Sequence, residues 1–197
     1  MFKKIFIIIS LVLLLNSCFW KASEEKLEKN EKVAVNDNND TSNNLATIAW
    51  NWFLIQLPKS LSKVNDIPTP RVWKVVLAMQ SKEMINWFIN NIVIIKQKLD
   101  KKMSSEEFSI VNQVKAKTKY TNYKKLQTKT FVFEDWDISV LYIFEARYNS
   151  NTTKQHFLQI WKVCNKTDAY IITIWLNKRI FDFEKYEKYI KTFKCKN

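Results

Sequence analysis

The chain has 197 residues, of which 32 are Lys or Arg and 19 are Asp or Glu, so its formal net charge is +13. One histidine and no glycine exclude a multi-histidine metal site and, in the sequence as written, any glycine-rich phosphate-binding loop. The positive charge favours anionic surfaces such as lipid headgroups, cell-wall polymers or nucleic acid, and does not select among them.

The first 17 residues have the pattern of a cleavable export signal. Lys3 and Lys4 precede an apolar run over residues 5–15, which ends in a Leu-Asn-Ser-Cys motif. A helix of this length covers about 16 Å, roughly half of the hydrocarbon core of a bilayer. The run is therefore too short for a transmembrane anchor, and the sequence predicts a signal peptide over residues 1–17.

The Leu-Asn-Ser-Cys motif resembles the lipobox of bacterial lipoproteins, in which the cysteine becomes the acylated N-terminus. Asn16 departs from the small or β-branched residue that is common there, and an ordinary secretory signal that ends near a cysteine is the alternative. Acyl chains bind a membrane with about 0.8 kcal/mol per buried CH₂ group. We expect lipidation, by palmitate or a similar chain, at Cys18. The partner would then be membrane lipid at the outer face of the bacterial cell membrane.

A polar tether follows the signal. Residues 18–46 contain the lipidated cysteine and a stretch dominated by Lys, Glu, Asn, Asp and Ser, with few large apolar side chains to bury. Residues 47–197 have enough apolar residues for a single globular domain. Without the signal and its two lysines, 180 residues remain with a formal charge of +11.

Two further cysteines, Cys164 and Cys195, form a candidate pair. An exported protein matures in an oxidising compartment, so the pair predicts one disulfide. The bond would close a loop of about 30 residues, which stabilises a fold by roughly 3 to 4 kcal/mol. Two unpaired buried thiols are the alternative.

The absence of glycine coincides with eight tryptophans. Average usage of about 7% predicts roughly 14 glycines in a chain of this length. Trp136 lies between two predicted strands, where a hairpin turn favours glycine because it needs a positive φ. We hypothesise that the source lineage decodes UGA as glycine and that UGA was translated here as tryptophan; a tryptophan-rich surface that stacks on sugars or bases is the alternative. The candidate glycine positions are Trp20, Trp50, Trp52, Trp73, Trp87, Trp136, Trp161 and Trp175.

The predicted domain begins with strands. A strand over residues 53–57 is stopped by Pro58, an apolar run covers residues 72–79, and a further strand covers residues 91–99.

A capping-box pattern, Ser104 with Glu107, then opens a predicted helix. Phe108, Val111, and Val114 or Lys115 recur in it at helical spacing, so we expect this face to pack on the core.

Strand-like segments separated by short polar turns follow. Connections this short join antiparallel neighbours and predict a four-stranded meander. Its strands are expected over residues 123–133, 138–148, 154–163 and 169–176.

A terminal helix closes the chain. Asp182 is a candidate N-cap, and Phe183, Tyr186, Ile190 and Phe193 follow at steps of three and four, which places them on one apolar face. We expect this face to pack on the sheet.

These motifs, in this order and spacing, resemble the PsbP-like family over roughly residues 48–195. The motifs are the Phe-Leu-Ile-Gln-Leu-Pro strand, the Ser-Ser-Glu-Glu-Phe helix start, the meander and the closing Tyr-Glu-Lys-Tyr-Ile-Lys-Thr-Phe segment. The resemblance implies an α+β fold, in which a central antiparallel β-sheet is covered by helices on both sides as an α/β/α sandwich. It also implies an assembly or binding accessory, with no catalytic residue to carry over and no cofactor.

The remaining polar candidates favour structural roles. His156 lies in a predicted strand and is expected to be a solvated or capped strand residue rather than a base, and Asp135 and Asp137 are expected turn formers. The leading interpretation is a non-enzymatic lipoprotein that acts as a binding or scaffolding module. A binder of DNA or cell-wall glycan through the basic surface is the alternative, and an enzyme would require a deep pocket with convergent polar groups.

Overall fold

The structure, a computed structural model, describes residues 44–65, 74–85, 88–148 and 150–196. The predicted signal peptide, Cys18 and nearly all of the tether lie outside the described residues, as do Trp20, Trp73 and Trp87. No helix in the described part of the chain combines the length and the hydropathy that crossing a membrane requires.

The described residues form ten strands and two helices. The strands are β1 (Leu45–Ala49), β2 (Phe53–Pro58), β3 (Leu61–Lys63), β4 (Lys74–Ile85), β5 (Phe88–Lys98), β6 (Thr121–Val132), β7 (Ile138–Arg147), β8 (Gln155–Cys164), β9 (Asp168–Asn177) and β10 (Lys194–Cys195). The helices are α1 (Ser105–Lys119) and α2 (Phe183–Lys191).

The strands form two antiparallel sheets. The larger has seven strands in the order β3-β4-β5-β9-β8-β7-β6, and the smaller has three in the order β1-β2-β10. The predicted meander is confirmed, because β6, β7, β8 and β9 are consecutive neighbours in space. Its short connections leave no room for any other pairing.

The central strands of the larger sheet are buried on both faces because they are apolar on both. Along β8, Leu158 and Ile160 point into one core, and Phe157 and Trp161 point into the other. The first core is closed by the smaller sheet together with α2, and the second by α1.

The capping box that opens α1 is confirmed. The Ser104 hydroxyl accepts a hydrogen bond from the backbone N–H of Glu107 at 3.1 Å, and the Glu107 carboxylate accepts one from the backbone N–H of Ser104 at 2.8 Å. These bonds satisfy two amide groups that the first turn of a helix leaves unpaired.

The predicted core face of α1 is only partly right. Phe108 is buried, but Val111 is 48% exposed and Val114 is 66% exposed. The face that meets the sheet contains Ser105 and Ser109, which are fully buried. The spacing of the apolar residues did not predict the buried face of α1, because hydrogen bonds of Ser105 to Asp137 and Val163 fix the rotation of the helix about its axis.

The terminal helix forms as expected. The Asp182 carboxylate accepts a hydrogen bond from the Lys185 N–H at 3.3 Å, which caps α2. Ile190 and Phe193 are buried, and Phe183 and Tyr186 pack against the same core. This face lies against β2 of the smaller sheet.

The expected α/β/α sandwich is wrong. Two short helices cannot cover both faces of a seven-stranded sheet, and α1 lies on one face only. The other face is covered mainly by the smaller sheet, because the strand predicted at Phe53 pairs with β1 and with the end of the chain at Cys195. The domain is therefore mostly β, with two antiparallel sheets packed face to face.

Candidate functional site

A cleft opens at one end of the space between the two sheets. Its volume is about 580 Å³, within the range of small-molecule binding sites. Ile92, Ile174 and Leu176 of the larger sheet, which are buried, line it, and Asn44 and Leu45 line it where the chain enters β1. The cleft therefore has an apolar floor beside the point where the tether joins the domain.

Amide groups at the rim of the cleft support the strands rather than a ligand. The side-chain carbonyl of Asn90 accepts the Asn177 N–H at 2.8 Å, and the Asn177 amide donates to the Ile85 carbonyl at 2.8 Å. The Asn91 amide donates to the Ile89 carbonyl at 3.2 Å. These bonds hold the ends of β4, β5 and β9 together and so fix one wall.

Two tyrosines of α2 form part of the opposite wall. Burial raises the pKa of Tyr186 and of Tyr189, and the negative charge of Asp182 raises both further. Both phenols are therefore neutral at physiological pH and serve as hydrogen-bond donors. Lys185 lines the same wall.

The cleft is lined by both charged and hydroxyl-bearing side chains. Its described lining includes Lys82, Glu83 and Lys185, and no histidine or cysteine. In the described part of the chain no group of three or more His, Cys, Asp or Glu side chains is arranged to hold a metal ion.

A second feature is the Trp–Lys cluster, which consists of Trp50, Trp52, Lys63, Lys74 and Lys96. The Lys63 ammonium lies 4.8 Å from the centre of the Trp50 ring. The Lys96 and Lys74 ammonium groups lie 4.3 Å and 5.6 Å from the Trp52 ring. These are cation–π distances, so Trp50 lies against one positive charge and Trp52 against two.

A carboxylate at the edge of the Trp–Lys cluster offsets part of its charge. Asp168 lies 3.6 Å from the Lys96 ammonium and 3.1 Å from that of Lys98.

The remaining tryptophans differ in environment. Trp136 is 83% exposed and has a φ of 65°, whereas Trp161 and Trp175 are buried between α1 and the sheet. Trp161 contacts Tyr142 edge-on, and its indole N–H has no hydrogen-bond partner. Glycine would adopt the positive φ at position 136 without strain, and it would remove the unsatisfied donor at position 161.

Cys164 and Cys195 are joined by a disulfide, with their Cα atoms 5.7 Å apart. The bond ties the end of β8 in the larger sheet to β10 in the smaller one. It is a structural link, since its partners lie at the edge of the core rather than in the cleft.

His156 is buried rather than solvated. Its Nδ1 lies 2.9 Å from the carbonyl oxygen of Ile180, and because a carbonyl only accepts, Nδ1 bears the proton. Phe181 and Phe183 contact the ring edge-on. The histidine therefore hydrogen-bonds the backbone of the segment after β9. This is the capped strand residue that the sequence analysis gave as one of two expected roles.

A buried ion pair was missed by the sequence analysis. Lys162 is 1% exposed, and its ammonium lies 2.6 Å from Asp135 and 3.0 Å from Asp137. Asp137 also accepts a hydrogen bond from Ser105, whose oxygen accepts the Val163 N–H at 2.8 Å. The two carboxylates expected as turn formers thus also neutralise a buried cation and hold the start of α1.

Comparison with known proteins bears on the fold. No protein-family model and no curated protein sequence matches the chain. The solution structure of cyanobacterial PsbP (CyanoP) from Synechocystis sp. PCC 6803 superposes with a TM-score of 0.51 at 10% identity, over 87% of this chain and 98% of that chain. The domain has a PsbP-like fold.

Two weaker similarities accompany it. The Ran-binding protein Mog1p of Saccharomyces cerevisiae matches with a TM-score of 0.45 at 10% identity, over 77% of this chain and 95% of its own. A protein of unknown function from Pseudomonas aeruginosa matches with a TM-score of 0.43 at 9% identity, over 75% of this chain and 91% of its own. At such identities the PsbP-like domain shares a fold with CyanoP, and the function has to be argued from its own residues.

Proposed function

We propose that this protein is a non-enzymatic lipoprotein, lipidated at Cys18, whose PsbP-like domain is a binding or scaffolding module at the outer face of the bacterial cell membrane. The observation that supports a binding role best is the cleft, which joins an apolar floor to neutral hydroxyl groups. The anchor is supported by the short apolar run and the lipobox-like motif before Cys18.

The anchor is tested by labelling with radioactive palmitate in cells. We expect the wild-type protein and Cys195→Ser to incorporate the label, and Cys18→Ala to lose it, because only Cys18 lies at the predicted cleavage site. Equal labelling of Cys18→Ala and wild type would contradict the proposal.

The cleft is tested with an anionic aromatic probe, 1-anilinonaphthalene-8-sulfonate. Ser60 is exposed and lines the cleft, so Ser60→Trp narrows its opening without removing a core side chain. We expect the affinity for the probe to fall at least about fivefold, which corresponds to roughly 1 kcal/mol. Ser150→Trp, on a distant loop, is the control and should bind like wild type. Unchanged binding in Ser60→Trp would show that the cleft is not the binding site.

The Trp–Lys cluster favours a second candidate function, binding of an anionic polymer such as DNA or a cell-wall glycan. Three lysines converge there on two half-buried indole rings, an arrangement suited to a backbone of repeated negative charges. This candidate depends on residues 50 and 52 being tryptophan, since glycine would leave the lysines without their rings.

Duplex DNA is a convenient probe of this second function. Each lysine that neutralises a phosphate contributes about one unit to the slope of log affinity against log salt. We expect Lys63→Gln with Lys74→Gln to lower the slope by about two units. Lys101→Gln with Lys102→Gln, from the loop before α1, should leave it nearly unchanged. If both pairs lower affinity equally, the basic surface acts as a whole and the cluster is not a site.

A further inference from the structure

The helix α1 exposes three aliphatic side chains to solvent and buries two serines against the sheet. Ile110, Val111 and Val114, hereafter the α1 ridge, are 53%, 48% and 66% exposed. The face turned towards the sheet includes two serines, Ser105 and Ser109, that are at most 1% exposed. A surface helix normally buries its aliphatic residues, so an apolar ridge in solvent indicates a surface that something else covers.

The rotation of α1 is fixed by hydrogen bonds rather than by chance packing. Ser105 donates to Asp137 in the turn between β6 and β7 and accepts from the Val163 N–H of β8 at 2.8 Å. Phe108 is the large apolar side chain of the helix that enters the core. The ridge therefore stays exposed as long as the fold is intact.

The charges around the ridge favour an anionic partner. Lys117 lies one turn beyond Val114 on the same helix, and Lys125 is exposed on β6, opposite Phe144 and so on the face of the sheet that α1 covers. The acidic residues of α1 are confined to its first turn, at the opposite end, where Glu107 serves the cap. Apolar contact and attraction to anionic headgroups both bind a protein surface to a membrane, so an apolar ridge beside lysines suits anionic lipid.

We propose that the α1 ridge docks on the anionic surface of the membrane, a proposal that rests on the proposed lipid anchor. The anchor would keep the domain within reach of the bilayer. The 25 residues between Cys18 and Asn44 can reach at most about 80–90 Å when fully extended. This reach exceeds the diameter, roughly 40 Å, of a compact domain whose radius of gyration is about 15 Å. The chain can therefore enter β1 on one side while α1 rests on the lipid.

A second copy of the chain is a poorer occupant. Three aliphatic side chains offer far less than the roughly 1,200 Å² that a stable protein interface buries. Pairing two ridges would also bring the Lys117 side chains of the two copies close together, and each mature chain has a formal charge of +11, so the copies repel each other. A bilayer with anionic headgroups offers apolar contact to the ridge and negative charge to the lysines.

The test uses the mature chain, residues 18–197, with Cys18→Ala, so that binding does not depend on acylation. We measure co-sedimentation with vesicles of equimolar phosphatidylglycerol and phosphatidylcholine, and with vesicles of phosphatidylcholine alone. We expect binding to the anionic vesicles that weakens with salt. The double variant Val111→Ser with Val114→Ser should bind them about tenfold less tightly, a difference of roughly 1.4 kcal/mol, because it removes apolar surface that would enter the lipid. Met84→Ser, 52% exposed on β4, is the matched control.

Each outcome bears on the proposal. Equal binding of the valine variant and wild type would overturn it, and so would equal binding to anionic and neutral vesicles. A concentration-dependent dimer in sedimentation, which the two serine substitutions dissociate, would also overturn it. Both exposed valines can be replaced without touching the core, and an unchanged melting temperature checks this. Palmitate labelling reports on the anchor independently, so failure of docking and failure of the anchor are distinguishable.

Discussion

The Lys162 ammonium lies 2.6 Å and 2.8 Å from the two carboxylate oxygens of Asp135, beneath the turn that connects β6 to β7. Lys162 is 1% exposed, and the ring of Phe133 lies 4.4 Å from its ammonium. The turn is also tied to the end of α2, because the Glu134 N–H donates to the Lys191 carbonyl at 3.0 Å. The ion pair thus secures the hairpin against the sheet, and the Glu134 hydrogen bond secures it against the terminal helix.

The two partners of this pair should differ in what their removal does to stability. Asp135→Asn leaves a buried ammonium with one carboxylate, and we expect a loss of about 2–3 kcal/mol in the free energy of unfolding by urea at pH 7. Lys162→Met removes the buried charge itself and leaves two carboxylates that are each 32% exposed and can be hydrated. We expect it to change stability by about 1 kcal/mol or less. A larger loss in Lys162→Met than in Asp135→Asn would contradict this view.

Trp136 occupies a position that suits glycine. Its N–H donates to the Phe133 carbonyl at 3.0 Å, the Phe133 N–H donates to the Asp137 carbonyl at 3.0 Å, and its φ is 65°. These bonds describe a three-residue hairpin loop whose last residue is left-handed. We expect Trp136→Gly to raise the free energy of unfolding by about 1 kcal/mol, since the exposed indole buries little and the strain is removed.

The turn between β8 and β9 supplies the matched control. Lys166 there has a φ of 62° and follows Asn165, so Lys166→Gly should stabilise the protein by a similar amount without any question of decoding. Stabilisation by both variants supports the conformational argument. The decoding hypothesis itself is checked by the codons of the eight tryptophans and by mass spectrometry of the natural protein. UGG codons at most positions, or tryptophan in its peptides, would contradict it.

Local signals allowed the elements to be predicted, and long-range pairing limited what could be predicted of their assembly. The capping box at Ser104 and the meander from residue 123 depend on neighbours in sequence, so their patterns are readable. The pairing of Phe53 with Cys195 joins segments far apart in the chain and has no local pattern, so the smaller sheet and its cleft were missed. The role of Lys162 was missed for the same reason, because its carboxylate partner Asp135 lies in a different hairpin.

The disulfide should contribute strongly to stability. Cys164 and Cys195 are 31 residues apart, and closing a loop of this size stabilises a fold by roughly 3 to 4 kcal/mol in the chain-entropy model. We expect the double variant Cys164→Ser with Cys195→Ser to lower the urea midpoint by the equivalent of about 3 kcal/mol. Wild-type protein with the disulfide reduced should behave similarly. A loss below about 1 kcal/mol would show that the smaller sheet holds β10 without the bond.

The ion pair between Glu145 and Lys154 should make stability depend on pH in acid. The hydrogen bond from Lys154, at 2.9 Å, lowers the pKa of Glu145, and the charges of Lys154, His156 and Lys124 lower it further, against an opposing effect of burial. A carboxyl whose pKa is lower in the folded state stabilises the fold above its unfolded pKa, and the contribution disappears as the pH falls through the folded value.

We therefore expect Lys154→Met to be less stable than wild type by under about 1 kcal/mol near neutral pH. The difference should shrink as the pH falls below about 4.5, the ordinary pKa of the glutamate. Urea unfolding at a series of pH values measures it. Lys117→Met, an exposed lysine of α1, is the control, and its small effect should not follow the same profile. If the Lys154→Met difference instead grows as the pH falls, the folded-state pKa of Glu145 lies above its unfolded value, which is the opposite of what its contacts with Lys154 imply.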